Sequence, residues 1–415
     1  MDLEREKMKN HFITWLTLLF LIAATGCTGS EYPKDDNFQE RWDYPLNFRI
    51  QGHGLLMTDS EKGYYFVDKN LIYYMDKDSK NPVLLDNRPD HRCMNKPDSS
   101  NCYAYIQSGG GSYPTFIQYY DSKLYVLESY WDIKSKRSMF DDVWKISRMD
   151  PDGKNRKEFK RFDSKPNFVA IHRGYLYFSL TSADKDNVQT TKVMRMQMEG
   201  KHKEEVIYED TGPGANITDI VPYGQQLYII SWSDKGYEIL RYDLETKEVT
   251  AIADRKDVGG STALQDINGQ NLYLSYFYGI EDDERSRVVY STNLRGEQIH
   301  QLKLNDPLTL PLFFKDNLYS YFLPLFAYAK DLPEGAPYEM AIYKDNKVIH
   351  RVNLMDLPNM LLPIPGDEKY MFLRYENPNT GFMILDKSLI ESGKAKFEPL
   401  LEGEEPELDS TKSIK

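Results

Sequence analysis

The sequence predicts an all-β fold assembled from repeated four-stranded antiparallel sheets, and three observations support this prediction. First, a short Leu-Tyr segment recurs along the chain: KLYVL at Lys123–Leu127, YLYFS at Tyr175–Ser179, QLYII at Gln226–Ile230, NLYLS at Asn271–Ser275 and NLYSY at Asn317–Tyr321. Second, each copy stands within a similar succession of short apolar segments and polar turns. Third, apolar side chains alternate with period two, and no long stretch after the N-terminal region has the apolar stripe of an amphipathic helix.

The spacing of the Leu-Tyr segment indicates a repeat architecture. Its tyrosine position falls at Tyr65, Tyr125, Tyr177, Tyr228, Tyr273, Tyr319 and Met371. The intervals are 45 to 60 residues long. Self-similarity on this scale is typical of chains in which each copy forms one supersecondary unit and neighbouring units share a core.

The elements of one unit follow a fixed order. A short apolar strand, such as Ile217–Tyr223, leads through a polar turn to the Leu-Tyr strand. A loop of variable length precedes a third strand with alternating side chains, such as Tyr237–Leu244. A second polar turn leads to a short last strand, such as Glu248–Ile252. Turns such as Asp150–Asn155 contain glycine, which adopts a positive φ without steric cost.

Seven such units predict a seven-bladed β-propeller. A four-stranded blade with apolar residues on both faces cannot bury them alone, whereas a ring of blades covers them and leaves only short edges. The first unit, Gly54–Asn87, has almost no loop between its second and third strands. If this unit instead completes the last one, six blades remain as the alternative.

Two of the predicted blades resemble those of known proteins. The segments Leu124–Phe159 and Leu227–Val249 are similar to blades of bacterial lipoproteins whose propellers are related to TolB and to the YWTD modules of low-density lipoprotein receptors. The resemblance covers roughly 54–402, although the YWTD tetrad itself is absent. It implies a propeller of unknown function and no catalytic residue.

The N-terminus predicts export and a lipid anchor. The apolar run Phe12–Ala24 is too short for a membrane-spanning helix, which needs about 20 residues, and it ends in small residues like a signal peptide. The tetrad Ala24–Cys27 resembles the lipobox of bacterial lipoproteins, although that family usually has Leu at the position of Ala24. The resemblance implies that Cys27 becomes the first mature residue and carries a diacylglycerol. An ordinary signal peptide that leaves Cys27 unmodified is the alternative.

These assignments divide the chain into four parts. Residues 1–26 are expected to be the signal peptide, with translation starting at Met8 because the first seven residues are rich in acids. Residues 27–46 are expected to form a flexible tether, 47–405 the propeller and 406–415 a polar tail. The expected location is the bacterial cell envelope, outside the cytoplasm, with the membrane as one partner.

Charge and cysteine content narrow the possible functions. The formal net charge is −12 and no dense Lys/Arg cluster occurs, so nucleic acid is not an expected partner. With Cys27 lipidated in an oxidising compartment, Cys93 and Cys102 are predicted to form a disulfide, which stabilises by about 2.5–3 kcal/mol in the chain-entropy model. Free thiols or a metal pair are the alternatives. No motif predicts a metal site or a cofactor.

The candidate binding site is one mouth of the predicted ring. Loops between second and third strands, and loops that join blades, should emerge on the same face. Aromatic rings beside carboxylates suit a glycan, a peptide or an organic cation. The candidate residues are Tyr105, Tyr113, Tyr130, Trp131, Asp132, Trp232, Asp234, Tyr276, Tyr278, Asp282, Phe326 and Tyr328. The alternative is that these aromatic side chains only cap the blades.

The sequence favours a binding or interaction protein without catalysis. Its expected ligand is a glycan, a peptide or an envelope protein. No catalytic residue is predicted, since histidines such as His172 and His350 lie in or beside predicted strands without a catalytic motif. A carbohydrate-active or other hydrolytic enzyme with its site at the same mouth is one alternative. A non-catalytic scaffold of an envelope complex is the other.

Overall fold

The computed structural model describes most of the repeat region. The described residues are 32–50, 54–86, 88–89, 93–94, 101–108, 116–131, 142–234, 236–253, 261–277, 288–303, 311–324, 338–358, 361–376 and 379–402. The chain divides into two units, Met1–Lys34 and Asp35–Lys415, and all strands belong to the second. The predicted signal peptide, Cys27 and the polar tail lie outside the described residues. Within the described parts, no helix is both long and apolar enough to cross a bilayer.

Seven four-stranded antiparallel sheets, here called blades 1 to 7, follow one another along the chain. Blade 1 contains β1 (Met57–Asp59), β2 (Gly63–Asp68), β3 (Leu71–Asp76) and β4 (Val83–Leu84). Blade 2 contains β5 (Ile117–Tyr120), β6 (Lys123–Trp131), β7 (Asp142–Met149) and β8 (Lys157–Phe162). Blade 3 contains β9 (Val169–His172), β10 (Tyr175–Ala183), β11 (Gln189–Gln197) and β12 (Glu204–Gly212).

The remaining four blades repeat the pattern. Blade 4 contains β13 (Asn216–Tyr223), β14 (Gln226–Ser233), β15 (Gly236–Asp243) and β16 (Val249–Ala253). Blade 5 contains β17 (Ser261–Asn268), β18 (Asn271–Phe277), β19 (Val288–Asn293) and β20 (His300–Lys303). Blade 6 contains β21 (Pro311–Lys315), β22 (Ser320–Pro324), β23 (Glu339–Lys344) and β24 (Lys347–Asn353). Blade 7 contains β25 (Leu362–Ile364), β26 (Tyr370–Tyr375), β27 (Gly381–Asp386) and β28 (Phe397–Glu402).

This topology confirms the predicted seven-bladed propeller. The strands of every blade are hydrogen-bonded in chain order, and the first strands contact each other between blades 1 and 2, 2 and 3, 3 and 4, and 5 and 6. The first unit is a complete blade of its own, which excludes the six-blade alternative. In the described chain, helical structure is limited to short 3-10 turns such as Leu46–Phe48.

The recurring Leu-Tyr pair fills the spaces on the two sides of each blade. Tyr177 packs with Leu227 and Ile229 of blade 4. Leu176, one residue earlier, belongs to the cluster that includes Leu124 of blade 2. Successive side chains of a strand point to opposite faces, so one dipeptide serves both blade interfaces. Full burial of each such side chain contributes about 1.5–3 kcal/mol.

The ring is closed between blades 7 and 1 by side chains rather than by a shared strand. Each of these blades is formed by one continuous part of the chain. The ring of Phe66 lies 5.8 Å from that of Phe372 and 5.3 Å from that of Phe382. The Tyr64 hydroxyl donates to Asp367 Oδ2 at 2.6 Å. We call this interface the closing seam.

Residues 35–50 form an N-terminal cap on the propeller, which differs from the tether expected over 27–46. Every second residue from Tyr44 to Ile50 is a buried apolar one, namely Tyr44, Leu46, Phe48 and Ile50. The whole segment belongs to the same compact unit as the blades. The physical reason is that burial of this alternating apolar set fixes the segment on the domain, although it has no partner strand along most of its length.

The insertion after blade 1 is held by the disulfide between Cys93 and Cys102. The Tyr103 N–H donates to the buried Asp86 carboxylate at 2.7 Å, and the Arg156 guanidinium of blade 2 donates to the Tyr103 carbonyl at 2.6 Å. Asp86 lies close enough to both sulfurs to suggest a metal site. The sulfurs are bonded to each other instead, and the carboxylate already accepts from Arg88 at 2.8 Å.

Candidate functional site

The two faces of the ring differ in their connections. The turn face carries the connections between first and second strands and between third and fourth strands. Asp121 and Ser122, for example, have φ values of 44° and 61°, as in a tight type I′ hairpin turn. The loop face carries the connections between second and third strands and the links between blades. The sequence-predicted site belongs to the loop face.

Half of the twelve predicted site residues belong to the described part of the chain. Tyr113, Asp132, Tyr278, Asp282, Phe326 and Tyr328 lie outside the described residues. For Trp131 and Tyr276 only the backbone is described: Trp131 is the last residue of β6, and Tyr276 is one residue from the end of β18. Both strands end at the loop face.

Tyr105 and Tyr130 are engaged in packing. Tyr105 is only 8% exposed and forms an isolated bridge with Leu71. Tyr130 is half-buried, with the Lys145 ammonium 5.5 Å and the Arg161 guanidinium 5.7 Å from its ring centroid. These contacts favour the blade-capping alternative for these two rings.

Trp232 and Asp234 are presented to solvent at the loop face. Trp232 is 38% exposed, and Asp234 is exposed two residues further on. The indole lies over Gly214 in the link from blade 3 to blade 4, where a Cβ atom would come within 2.9 Å of the ring. The Asp234 N–H donates to the Pro213 carbonyl at 3.3 Å. Because Gly214 has no side chain, the Trp232 indole can pack against the backbone there, on the same face of the ring as the Asp234 carboxylate.

The turn face is covered by the cap, which is held by buried charges. Arg49 forms an ion pair with Asp219 on β13, and both side chains are buried. Arg173, which follows β9, donates to Asp43 Oδ2 at 3.1 Å. Arg173 also donates to the Asn37 carbonyl at 2.8 Å. The cap is thus fixed to several first strands at once.

A buried histidine completes this contact. The Tyr44 N–H donates to His172 Nδ1 at 3.1 Å. Nε2 therefore carries the proton and donates to the Gly224 carbonyl at 2.8 Å. Burial lowers the pKa of His172 to about 4, although the nearby Asp43 opposes this shift. The ring is neutral at physiological pH.

Asp266 is a second perturbed group near the axis. Burial raises the pKa of its carboxyl to about 7, although two backbone donors and Arg49 oppose the shift. The Lys315 N–H donates to Oδ2 at 2.7 Å and the Ile267 N–H to Oδ1 at 2.8 Å. Oδ2 therefore joins blade 5 to blade 6, whereas Oδ1 is hydrogen-bonded within blade 5.

Two cavities open on the turn face on either side of the cap. They measure about 340 Å³ and about 350 Å³ and share Glu40, Pro45 and Asp59 in their walls. Burial raises the pKa of Asp59 to about 6, although its ion pair with Lys77 at 3.1 Å opposes this shift. Further acids line one or the other cavity: Asp43, Glu61, Asp121, Asp316, Asp367 and Glu368.

Sequence reasoning missed the cap, although a signal for it was present. Trp42, Tyr44, Leu46, Phe48 and Ile50 alternate with period two, as in a half-buried strand. The segment also contains acidic residues and Pro45, and this polar composition led to its interpretation as a tether. Arg49 and Asp43 carry no recognisable motif, so their pairing with Asp219 and Arg173 follows only from the fold.

Comparisons with known proteins find similar folds but no family. No family model and no curated protein match the chain. TolB from Acinetobacter baumannii is 15% identical over 63% of this chain and 61% of that one, with a TM-score of 0.36. The propeller domain of the Trilobed protease from Pyrococcus furiosus is 13% identical over 70% and 85%, with a TM-score of 0.46. A putative 6-phosphogluconolactonase from Bacteroides fragilis is 10% identical over 84% and 93%, with a TM-score of 0.43. Similarity at this level assigns no activity to the chain.

Proposed function

We propose that this chain is a membrane-anchored, extracytoplasmic binding protein whose loop face engages a glycan, a peptide or a protein partner. The observation that supports the proposal is the pairing of charged groups near the axis. Arg49 with Asp219 and Arg173 with Asp43 hold the cap in place. These pairs fix the cap over the turn-face end of the axis, and we assign the ligand to the mouth at the opposite end.

The chemistry of the loop face fits recognition. Trp232 supplies an exposed aromatic face, and Asp234 supplies a carboxylate that accepts hydrogen bonds from hydroxyl or amine groups. Such a pair binds the apolar face of a sugar ring or an aliphatic amine and orients its polar groups. The strand ends at Trp131 and Tyr276 bring further aromatic residues to the same face.

The cap and the proposed binding site lie on opposite faces of the ring. Asp36 accepts a hydrogen bond from the Gln225 N–H in the turn between β13 and β14, so the chain enters the domain at the turn face. We therefore place the binding site on the face opposite this entry point.

Ligand binding is tested with a loop-face double variant, Trp131→Ala with Trp232→Ala. The full chain is applied to arrays of glycans and peptides, and hydrolysis of every retained compound is assayed in parallel. We expect retention of at least one compound, at least tenfold weaker binding by the variant and no turnover. The control is Phe38→Ala, which removes an exposed ring of the cap at the turn face. Turnover that the double variant loses would instead identify a hydrolytic enzyme, and no retained compound would contradict ligand binding.

The anchor is tested separately by Cys27→Ser. Cells that express the native chain should incorporate labelled fatty acid into it, and the protein should sediment with membranes. The variant should lose both properties, because one thioether carries the diacylglycerol. Equal labelling and equal sedimentation of the two proteins would contradict the anchor and leave the ligand-binding proposal untouched.

A further inference from the structure

A third cavity lies between blades 5 and 6, apart from the loop face. Its volume is about 420 Å³, within the range of roughly 300–1,000 Å³ that small-molecule sites occupy. Asn271 at the start of β18, Lys315 at the end of β21 and Asn346 in the turn after β23 line it. All three positions belong to the turn face, so the cavity opens there. We call it the blade 5–6 groove.

The floor of the blade 5–6 groove is aromatic. The Tyr273 and Phe313 ring centroids are 4.7 Å apart, those of Phe313 and Phe322 4.9 Å, and those of Phe322 and Tyr343 4.9 Å. Tyr273, Phe313 and Phe322 are buried in a small core cluster of their own, and Tyr343 is half-buried against it. The four rings pack in a row across the blade interface, and the half-buried Tyr343 is the most exposed of them.

The rim of the groove is polar and uncharged except at one position. Amide side chains come from Asn271, Gln301 and Asn346, and all three residues are exposed. Ser291 and Ser320 add hydroxyl groups. Amides and hydroxyls both donate and accept hydrogen bonds, which matches the alternating donors and acceptors of a polyhydroxylated ligand. Lys315 is the one ionised residue among the described lining residues.

We propose that the blade 5–6 groove is a binding site for an uncharged oligosaccharide. The Tyr343 ring, supported by the buried rings beneath it, provides a face on which the apolar side of a pyranose ring packs, and the amide rim binds the hydroxyl groups of the sugar. The site is independent of the loop face, since no lining residue belongs to the candidates predicted there. A chain of sugar units can follow the groove from Lys315 toward the outer strand at Gln301.

The lining chemistry argues against other ligand classes. An organic cation would be favoured by carboxylates, which line the two cavities beside the cap and not the described wall of the blade 5–6 groove. An anionic ligand would need more positive charge than Lys315 supplies. An acyl chain would remove water from the amide rim without offering hydrogen bonds, which is unfavourable.

The groove is tested with the full chain on an array of neutral and charged oligosaccharides, followed by calorimetric titration of each neutral compound that is retained. The test variant is Asn271→Ala with Gln301→Ala, which changes two exposed rim residues and leaves the aromatic floor intact. The matched control is His300→Ala, the neighbour of Gln301 on β20 that is absent from the lining. Tyr343→Leu tests the floor, with thermal unfolding as a check that it folds.

We expect at least one neutral oligosaccharide to bind, with about tenfold or greater weakening in the rim double variant and in Tyr343→Leu. The His300→Ala protein and the Trp131→Ala, Trp232→Ala protein should retain this binding. The proposal is overturned if only charged compounds are retained or if none is. It is also overturned if the loop-face variant loses the neutral ligand while the rim variant keeps it, which would assign the sugar to the loop face.

Discussion

His172 shows at the residue scale how one buried ring holds the cap. Its two nitrogens are hydrogen-bonded to the Tyr44 N–H and to the Gly224 carbonyl. The charged and titratable groups that face it are Asp43, 3.7 Å from Nδ1, and Arg173. Protonation of Nδ1 would break the bond from Tyr44, because a protonated nitrogen cannot accept. These contacts give the ring a structural role in holding the cap.

The stability of the domain should therefore fall in acid through His172. Its folded pKa of about 4 lies below the ordinary value, so its contribution is complete above about pH 6.5 and is lost as pH falls toward 4. The expected loss is about 3 kcal/mol at most. Urea unfolding at about pH 7.5 and about pH 4.5 measures it, with His172→Gln as the non-titrating reference. An equal fall in stability in both proteins would contradict the assignment to His172.

Arg49 and Asp219 provide a second residue-scale prediction. Arg49→Met leaves the Asp219 carboxylate buried without its partner, and we expect a loss of about 3–5 kcal/mol in the free energy of unfolding. Adding Asp219→Asn should restore most of the loss, because the uncompensated charge is gone. A double-mutant cycle by chemical denaturation gives the coupling. Additive effects of the two substitutions would show that the groups do not interact.

At the scale of single elements, the Leu-Tyr strand is the part that the sequence predicted best. Its period-two pattern and its recurrence specify both the strand and the two blade faces that it fills. The first strands and the outer strands also occur in the expected order in each blade. The blade 5–6 groove was not predictable in this way. Tyr273 and Phe313 belong to different blades, and the sequence pattern of each strand does not show that their rings meet.

Leu227 in β14 tests the role assigned to this element. The side chain is fully buried between blades 3 and 4, so Leu227→Ala should cost about 2–5 kcal/mol in unfolding free energy. Val206 on the outer strand β12 is 45% exposed, and Val206→Ala should change stability by less than about 0.5 kcal/mol. Thermal or urea unfolding compares the two. Similar costs for both substitutions would mean that the Leu-Tyr strand does not form the blade interface.

The cap is the element on which the sequence prediction differed from the structure. Its alternating apolar residues resemble a strand, but the segment has a 3-10 turn at Leu46–Phe48 and one bridge, between Ile50 and Gly54, instead of a ladder. The cap is stabilised by contacts to turns that are far away in the sequence, such as the turns that contain Arg173 and Gly224. Local patterns do not encode such partners, which is why the segment was interpreted as a tether.

At the scale of the whole molecule, the sequence specified the number of blades but not how the ring closes. The closing seam joins residues about 300 positions apart, for example Tyr64 with Asp367 and Arg374 with Asp68. No repeat pattern indicates which side chains pair there. The contacts are numerous and mixed, since aromatic rings, a buried ion pair and exposed ion pairs all contribute.

If the ring is closed, removing a buried side chain at the closing seam should lower the free energy of unfolding as much as removing one at an internal blade interface. Phe66 at the seam and Phe178 in blade 3 are both fully buried, and each packs edge-on against another ring at about the same separation. We expect Phe66→Ala and Phe178→Ala each to cost about 3–5 kcal/mol, measured by urea denaturation. A cost near zero for Phe66→Ala alone would indicate a ring that is open between blades 7 and 1.

Zero-length carbodiimide cross-linking of the native chain tests the closed seven-bladed ring most directly. Lys80 Nζ of blade 1 lies 3.1 Å from Asp386 Oδ2 of blade 7, although the residues are 306 positions apart. Lys160 Nζ and Glu204 Oε1, 2.6 Å apart between blades 2 and 3, are the internal reference. The ring predicts that peptide mass spectrometry finds both cross-links in the monomer. Recovery of the Lys160–Glu204 cross-link without the Lys80–Asp386 cross-link would contradict closure.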